Sequence, residues 1–89
     1  MAEVVVYSSM LCPYCIRAKK LLKSKGVAFN EIDVMMEPRR KPEMVEKAGG
    51  RTSVPQIFIN GEHIGGCDEL MTLESHGKLD SKLENRIAS

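Results

Sequence analysis

Two cysteines, Cys12 and Cys15, lie three positions apart where a short apolar run passes into a helical pattern. Residues 3–9 contain three consecutive valines, which is typical of a strand covered on both faces. Residues 13–25 then place apolar side chains at helical spacing, with a proline at the first position and a glycine just past the end. The pattern predicts a strand that leads directly into a helix, with both thiols at the start of that helix.

The middle of the chain predicts one more strand and one more helix. Residues 27–34 have the composition of a strand. Residues 36–50 predict a helix that begins at either Pro38 or Pro42, because both prolines cannot lie inside one regular helix. A strand, a helix and a strand of these lengths form a right-handed βαβ unit with parallel strands.

The last third of the chain predicts a β-hairpin followed by two helices. Two strand-like runs flank Asn60 and Gly61, the pair favoured in a type I′ turn. Residues 67–77 predict a helix with acidic residues in its first turn, where a helix tolerates negative charge. Apolar residues every four positions from Leu79 to Ile87 predict a short final helix.

The element order and the composition together limit the classes of protein to consider. The order predicts an α/β fold in which a four-stranded mixed sheet is flanked by helices on both faces, and residues 1–89 are expected to form a single domain. Thirteen basic and 12 acidic residues leave a formal charge of +1, so we expect no nucleic-acid partner. No apolar run approaches the roughly 18 residues of a membrane span and no signal-peptide pattern is present, so we expect a cytoplasmic protein with no membrane partner.

Paired cysteines serve in structural disulfides, in zinc sites and in redox centres. A disulfide between Cys12 and Cys15 would stabilise the fold by at most about 2 kcal/mol, because the loop it closes is very short. A zinc site needs four ligands and could draw on Cys67, His63 and His76, but no second close pair with zinc-site spacing exists. A C-x-x-C pair beside a βαβ pattern is typical of a thioredoxin-like redox centre, which is the interpretation we favour.

The expected position of Cys12 at the N-cap of the first helix bears directly on its chemistry. Its sulfur would face the unpaired backbone N–H groups of residues 14 and 15 and lie at the positive end of the helix dipole. Both effects stabilise the thiolate, so we expect Cys12 to be ionised and nucleophilic at neutral pH. Cys15 lies one turn further along the helix, where it could attack a mixed disulfide formed on Cys12.

Three segments in combination resemble the glutaredoxin family, in particular the short dithiol type found in bacteria. They are Cys12-Pro13-Tyr14-Cys15, Ser53-Val54-Pro55 and Gly66-Cys67-Asp68. The resemblance covers nearly the whole chain and implies a thioredoxin fold, with Pro55 as a cis proline facing the active-site cysteines. It also implies a glutathione-dependent thiol–disulfide oxidoreductase that reduces protein disulfides and glutathione mixed disulfides, with Cys12 as nucleophile and Cys15 as resolving thiol.

The resemblance further implies a glutathione-binding groove formed by Tyr14, by the segment Ser53-Val54-Pro55 and by the turn at Gly66. Tyr14 would form a wall of this groove, and the backbone of Val54 would pair with the cysteine of glutathione. The backbone at Cys67 and the side chain of Asp68 would hold the γ-glutamyl end, since a helix N-terminus suits a carboxylate and a carboxylate suits an amine.

A basic residue near the second helix would bind the glycine carboxylate of glutathione. The candidates are Arg39, Arg40 and Lys41, and Lys41 is favoured by counting back from the apolar residues of the helix. The lysine that glutaredoxins commonly carry three residues before the first cysteine is Ser9 in this chain. This difference leaves more of the stabilisation of the thiolate to the helix terminus.

Two other functions remain open from the sequence. An iron–sulfur carrier would be a dimer that bridges a cluster through Cys12 and bound glutathione, although Pro13 argues against it. A thioredoxin reduced by a reductase usually has a tryptophan before Cys-Gly-Pro-Cys, and this chain has no tryptophan. For the favoured function we expect a monomer with no metal and no tightly bound cofactor, with His63 and His76 at the surface and Cys67 buried.

Overall fold

The computed structural model describes residues 3–84, which form a mixed sheet with helices on both of its faces. The strands are β1 (Val4–Ser8), β2 (Asn30–Asp33), β3 (Gln56–Ile59) and β4 (Glu62–Gly65). The helices are α1 (Pro13–Ser24), α2 (Lys41–Lys47), α3 (Cys67–Ser75) and α4 (Leu79–Glu84). A short 3₁₀ turn at Pro38–Arg40 precedes α2. None of the helices within residues 3–84 is long and apolar enough to cross a membrane.

The sheet has the strand order β2-β1-β3-β4, so β1 and β3 are its two central strands. β1 pairs with β2 in parallel and with β3 antiparallel, and Ser8 lies opposite Asp33 on the parallel side. The predicted βαβ unit is therefore confirmed. The predicted hairpin is also confirmed, because Asn60 and Gly61 both have positive φ angles, of 52° and 81°, as a type I′ turn requires.

Two element boundaries differ from the predictions. The second strand is shorter than residues 27–34, because the N–H of Val27 bonds the carbonyl oxygen of Leu22 at the end of α1 and not a neighbouring strand. The two prolines of the second helical segment open separate elements: Pro38 begins the 3₁₀ turn and Pro42 lies in the first turn of α2. Of the predicted final helix, Ile87 lies outside the described residues.

The core consists of two clusters, one on each face of the sheet. The cluster beneath α1 and α3 includes Val4, Val6, Ala18, Leu22, Ile57, Ile59 and Leu70. The cluster beneath α2 includes Tyr7, Ile32, Val34, Met44, Ala48 and Phe58. Adjacent residues of β1 thus enter opposite clusters, which confirms that this strand is covered on both faces.

A polar cluster ties β1 to the start of α2. The hydroxyl of Tyr7 donates to a carboxylate oxygen of Glu43 at 2.6 Å, and Arg40 donates to both oxygens at 2.9 and 3.2 Å. Hydrogen bonds from Arg40 and then from Tyr7 lower the pKa of Glu43 to about 2. Burial, followed by the bond to Glu43, raises the pKa of Tyr7 to about 12. Both shifts favour a charged Glu43 bonded to a neutral Tyr7.

Replacing Glu43 with Gln should weaken the fold at neutral pH and leave it unaffected in strong acid. The Glu43 carboxylate has a folded pKa of about 2 and an ordinary value of 4.5, so its contribution is present above about pH 4.5 and is lost as the pH falls toward 2. We expect a loss of at most about 1 kcal/mol near pH 6, because the side chain is 35% exposed. Urea unfolding of both proteins near pH 6 and near pH 2.5 measures this change.

The matched control is Glu46→Gln, which removes an exposed carboxylate from the same helix. Its effect on the free energy of unfolding should be small at either pH. A Glu43→Gln penalty of the same size at both pH values would contradict the assigned charge state.

Candidate active site

The sulfur of Cys12 lies at the N-terminus of α1. Cys12 is the N-cap residue, with extended backbone angles, and Pro13 occupies the first turn. The Cys12 Sγ atom accepts a hydrogen bond from the backbone N–H of Cys15 at 3.2 Å. The Cys12 carbonyl oxygen accepts from the N–H of Ile16 at 3.0 Å, which starts the helical ladder. The predicted N-cap position is confirmed, with the bond made by the amide of Cys15.

The two thiols have different environments. Cys12 is partly exposed, whereas Cys15 is fully buried, and neither is in a disulfide. Burial, followed by the hydrogen bond to Cys12, raises the pKa of the Cys15 thiol to about 12. Cys12 is therefore the more accessible of the two thiols, and Cys15 is protonated at neutral pH.

The segment Ser53-Val54-Pro55 faces the Cys12 sulfur. The Val54–Pro55 peptide bond is cis, as the resemblance implies. In its thiol form Cys12 donates to the carbonyl oxygen of Val54, with 3.7 Å between the two atoms. The backbone of Val54 is thus close to the reactive atom.

A groove with a volume of about 180 Å³ begins beside these residues. It is lined by Tyr14, Arg51, Ser53, Val54, Pro55, Gly66, Cys67, Asp68 and Glu69. The structure therefore brings together every residue predicted for substrate binding except Lys41. Their roles in binding stay a prediction.

The N-terminus of α3 forms one end of the groove. Its N-cap is Gly66, whose N–H donates to the Glu69 carboxylate at 2.6 Å and whose carbonyl oxygen accepts from Leu70. A side chain at Gly66 would approach the Pro55 carbonyl oxygen to 3.2 Å, so the absence of a Cβ lets the helix start pack against the cis-proline segment. The positive end of this helix dipole therefore borders the groove.

The basic residue of the groove is Arg51, which the sequence analysis did not select. Lys41 is exposed at the start of α2 and does not line the groove, and Arg40 is bound to Glu43. Arg51 Nη1 lies 3.4 Å from a carboxylate oxygen of Glu69. Arg51 lies in the loop before β3, where the sequence has neither the helical nor the strand pattern of apolar residues. Its closeness in sequence to Ser53 was the only indication that it lines the groove.

The two histidines and Cys67 were the other residues considered as metal ligands. His63 was expected at the surface but is half-buried, because it packs against Phe58 and bonds the side chain of Gln56. His76 is exposed, as expected, and Cys67 is buried, which raises the pKa of its thiol. Across residues 3–84, no three His, Cys, Asp or Glu side chains are grouped so as to hold a metal ion.

Comparisons with known proteins agree with this geometry. The family model described as glutaredoxin matches residues 4–64. Glutaredoxin 3 of Escherichia coli strain K12 is 50% identical over 84 residues, which are 94% of this chain and 100% of that protein. A glutaredoxin of Pseudomonas aeruginosa is 53% identical over 83 residues, which are 93% of this chain and 98% of that protein.

Solved structures of glutaredoxins have the same fold as this chain. The solution structure of glutaredoxin from Brucella melitensis has a TM-score of 0.80 at 50% identity and covers 98% of this chain and 96% of its own. The crystal structure of a buckwheat glutaredoxin–glutathione complex has a TM-score of 0.85 at 35% identity and covers 93% of this chain and 77% of its own.

Proposed function

The chain belongs to the glutaredoxin family and has the thioredoxin fold, and from this premise we propose that it is a glutathione-dependent thiol–disulfide oxidoreductase. The observation that carries the proposal is the partly exposed Cys12 sulfur. It is bonded by an amide of the α1 N-terminus and lies 3.7 Å from the Val54 carbonyl oxygen at the edge of the groove. Glutathione acts as reductant and cosubstrate, and no tightly bound cofactor takes part.

For a glutathionylated protein, the proposed reaction uses Cys12 alone. The Cys12 thiolate attacks the glutathione sulfur of the mixed disulfide, a new S–S bond forms between Cys12 and glutathione, and the protein thiolate leaves and takes a proton from water. A second glutathione thiolate then attacks the glutathione sulfur bound to Cys12. Glutathione disulfide leaves, and Cys12 returns to its thiolate form.

For a protein disulfide, the proposed reaction also needs Cys15. Cys12 first forms a mixed disulfide with one substrate sulfur, and the other substrate sulfur leaves as a thiol. Cys15 then loses its proton and attacks the Cys12 sulfur, which releases the reduced substrate and leaves a Cys12–Cys15 disulfide. Two glutathione molecules reduce this disulfide. The raised pKa of Cys15 keeps it from reacting before the mixed disulfide has formed.

The groove offers complementary groups for the γ-glutamyl end of glutathione and for its cysteine. The N-terminus of α3 suits the carboxylate of the γ-glutamyl residue, and Asp68 suits its amine. Arg51 lies at the same end of the groove, 3.4 Å from Glu69 of α3, so it adds positive charge for the γ-glutamyl carboxylate, whereas Lys41 does not line the groove. The backbone of Val54 pairs with the cysteine of glutathione, and Tyr14 forms the wall beside it. The crystal structure of the buckwheat glutaredoxin–glutathione complex supports glutathione as the ligand.

Exposed apolar side chains near Cys12 support protein substrates. They belong to Met10, Leu11, Tyr14 and Ile16, which flank the cysteine pair in sequence. Met35 and Met36, also exposed, follow β2, whose C-terminal end lies at the same edge of the sheet as that of β1.

We propose that the protein acts as a monomer in the reducing cytoplasm. No feature of residues 3–84 favours the iron–sulfur carrier alternative.

Substituting the two cysteines should separate the two proposed reactions. Cys12→Ser should lower glutathione-supported reduction of both substrate types by more than about a thousandfold, because the attacking sulfur is lost. Cys15→Ser should retain activity on a glutathionylated peptide, because that reaction uses Cys12 alone, and lose at least about tenfold on a protein disulfide. Oxidation of NADPH coupled through glutathione reductase measures both reactions.

Thermal unfolding of both cysteine variants is the control for folding. Full glutathione-supported activity in a folded Cys12→Ser protein would refute the proposed function. Equal losses on both substrates in Cys15→Ser would refute the division of roles between the thiols.

Replacing Arg51 with Gln should weaken binding of the glutathionyl group. We expect KM for a glutathionylated peptide to rise about five- to tenfold with little change in kcat, because one charge-assisted hydrogen bond at the surface is removed. Lys41→Gln is the matched control, since it removes a basic residue that does not line the groove. A larger rise in KM for Lys41→Gln than for Arg51→Gln would show that the cation that binds the glutathionyl group is Lys41 at the start of α2.

A further inference from the structure

Buried Gln56 and half-buried His63 form a hydrogen-bonded pair beside the segment that faces Cys12. Gln56 is fully buried at the start of β3. Its amide nitrogen donates to the carbonyl oxygen of Ser53 at 3.0 Å and contacts the Ser53 hydroxyl oxygen at 3.3 Å. Its amide oxygen lies 2.7 Å from Nε2 of His63. A buried amide bonded at both ends holds its neighbours in one arrangement.

The chemistry of the acceptor fixes the orientation of the Gln56 amide. The Ser53 carbonyl oxygen can only accept, so the NH₂ group of Gln56 faces it and the Gln56 oxygen faces His63. Nε2 of His63 therefore carries a hydrogen and donates. The hydrogen bonds run in one direction, from His63 on β4 through Gln56 on β3 to the carbonyl oxygen of Ser53.

His63 is itself held in place by its neighbours in the sheet. It lies opposite Phe58 in the register of β3 and β4, and the two rings stack with centroids 5.0 Å apart and a tilt of 31°. Gln56 is two residues from Phe58, so its side chain is on the same face of the sheet and diagonal to His63. The ring of His63 thus connects the sheet to the segment that borders the groove.

We propose that Gln56 and His63 are positioning residues that set the affinity of the groove for the glutathionyl group. They hold the Ser53 carbonyl oxygen through the amide of Gln56 and thereby set the orientation of the Ser53–Val54 peptide. The backbone of Val54 is the part of this segment that pairs with the cysteine of glutathione, so the inference rests on the proposed function. Neither side chain lines the groove, and both act through the backbone.

Three variants test the hydrogen-bond chain. Gln56→Leu keeps a side chain of similar size and removes both bonds. His63→Phe keeps a ring against Phe58 and removes the donor, whereas His63→Gln keeps a donor near the position of Nε2. With a glutathionylated peptide as substrate, KM should rise about three- to tenfold in Gln56→Leu and His63→Phe, kcat should stay within about twofold, and His63→Gln should be close to wild type.

Two controls separate positioning from general loss of structure. The rate of alkylation of Cys12 by iodoacetamide does not depend on the glutathione groove and should be unchanged in all three variants. Glu62→Gln, which removes an exposed carboxylate on the same strand as His63, should leave KM unchanged. Thermal unfolding identifies any variant that does not fold, and if Gln56→Leu does not fold, the two His63 variants decide.

Three outcomes would overturn the inference while leaving the proposed function intact. The first is an unchanged KM in folded Gln56→Leu and His63→Phe. The second is a fall in kcat and in the alkylation rate with no change in KM, which a purely structural role would produce. The third is a His63→Gln variant as impaired as His63→Phe. Failure of the wild-type protein to use glutathione would overturn the proposed function as well.

Discussion

The hydrogen bond from the backbone N–H of Cys15 to the sulfur of Cys12 is the interaction on which the reactivity of the site depends. It exists because α1 begins at Pro13, so the amides of the first turn have no partner within the helix and turn toward the residue before it. The central strand β1 ends four residues before Cys12 and so places Cys12 at the N-terminus of α1. The packing of α1 onto β1 therefore places a sulfur where a negative charge is stabilised by backbone dipoles.

The burial of Cys15 complements this interaction. Both thiols belong to one helical turn, but only Cys12 is open to a substrate, and burial keeps Cys15 in its neutral form. The groove extends from Tyr14 and the cis-proline segment, which faces Cys12, to the start of α3, so it combines a backbone edge, an arginine and a helix N-terminus within a small area. This arrangement agrees with the proposed binding of glutathione through its cysteine and its γ-glutamyl end.

Local patterns in the sequence were sufficient for the parts of the fold that local interactions determine. The start of α1, the turn at Asn60 and Gly61, and the burial of β1 follow from proline placement, turn preference and apolar runs. The groove residues were identified because the family resemblance implied that two segments distant in sequence lie close together. Spacing in the sequence alone does not reveal this. Arg51 was missed because its position depends on the path of a loop, and the half-burial of His63 depends on a side-chain bond between strands.

The rate constant for alkylation of Cys12 by iodoacetamide at pH 7 tests the central claim most directly. The measurement is made on the reduced Cys15→Ser protein, in which Cys12 is the only partly exposed cysteine among residues 3–84. If the amide groups of α1 stabilise negative charge on the sulfur, Cys12 reacts at least about tenfold faster than the thiol of free glutathione at the same pH. Equal rate constants for Cys12 and free glutathione would contradict the account.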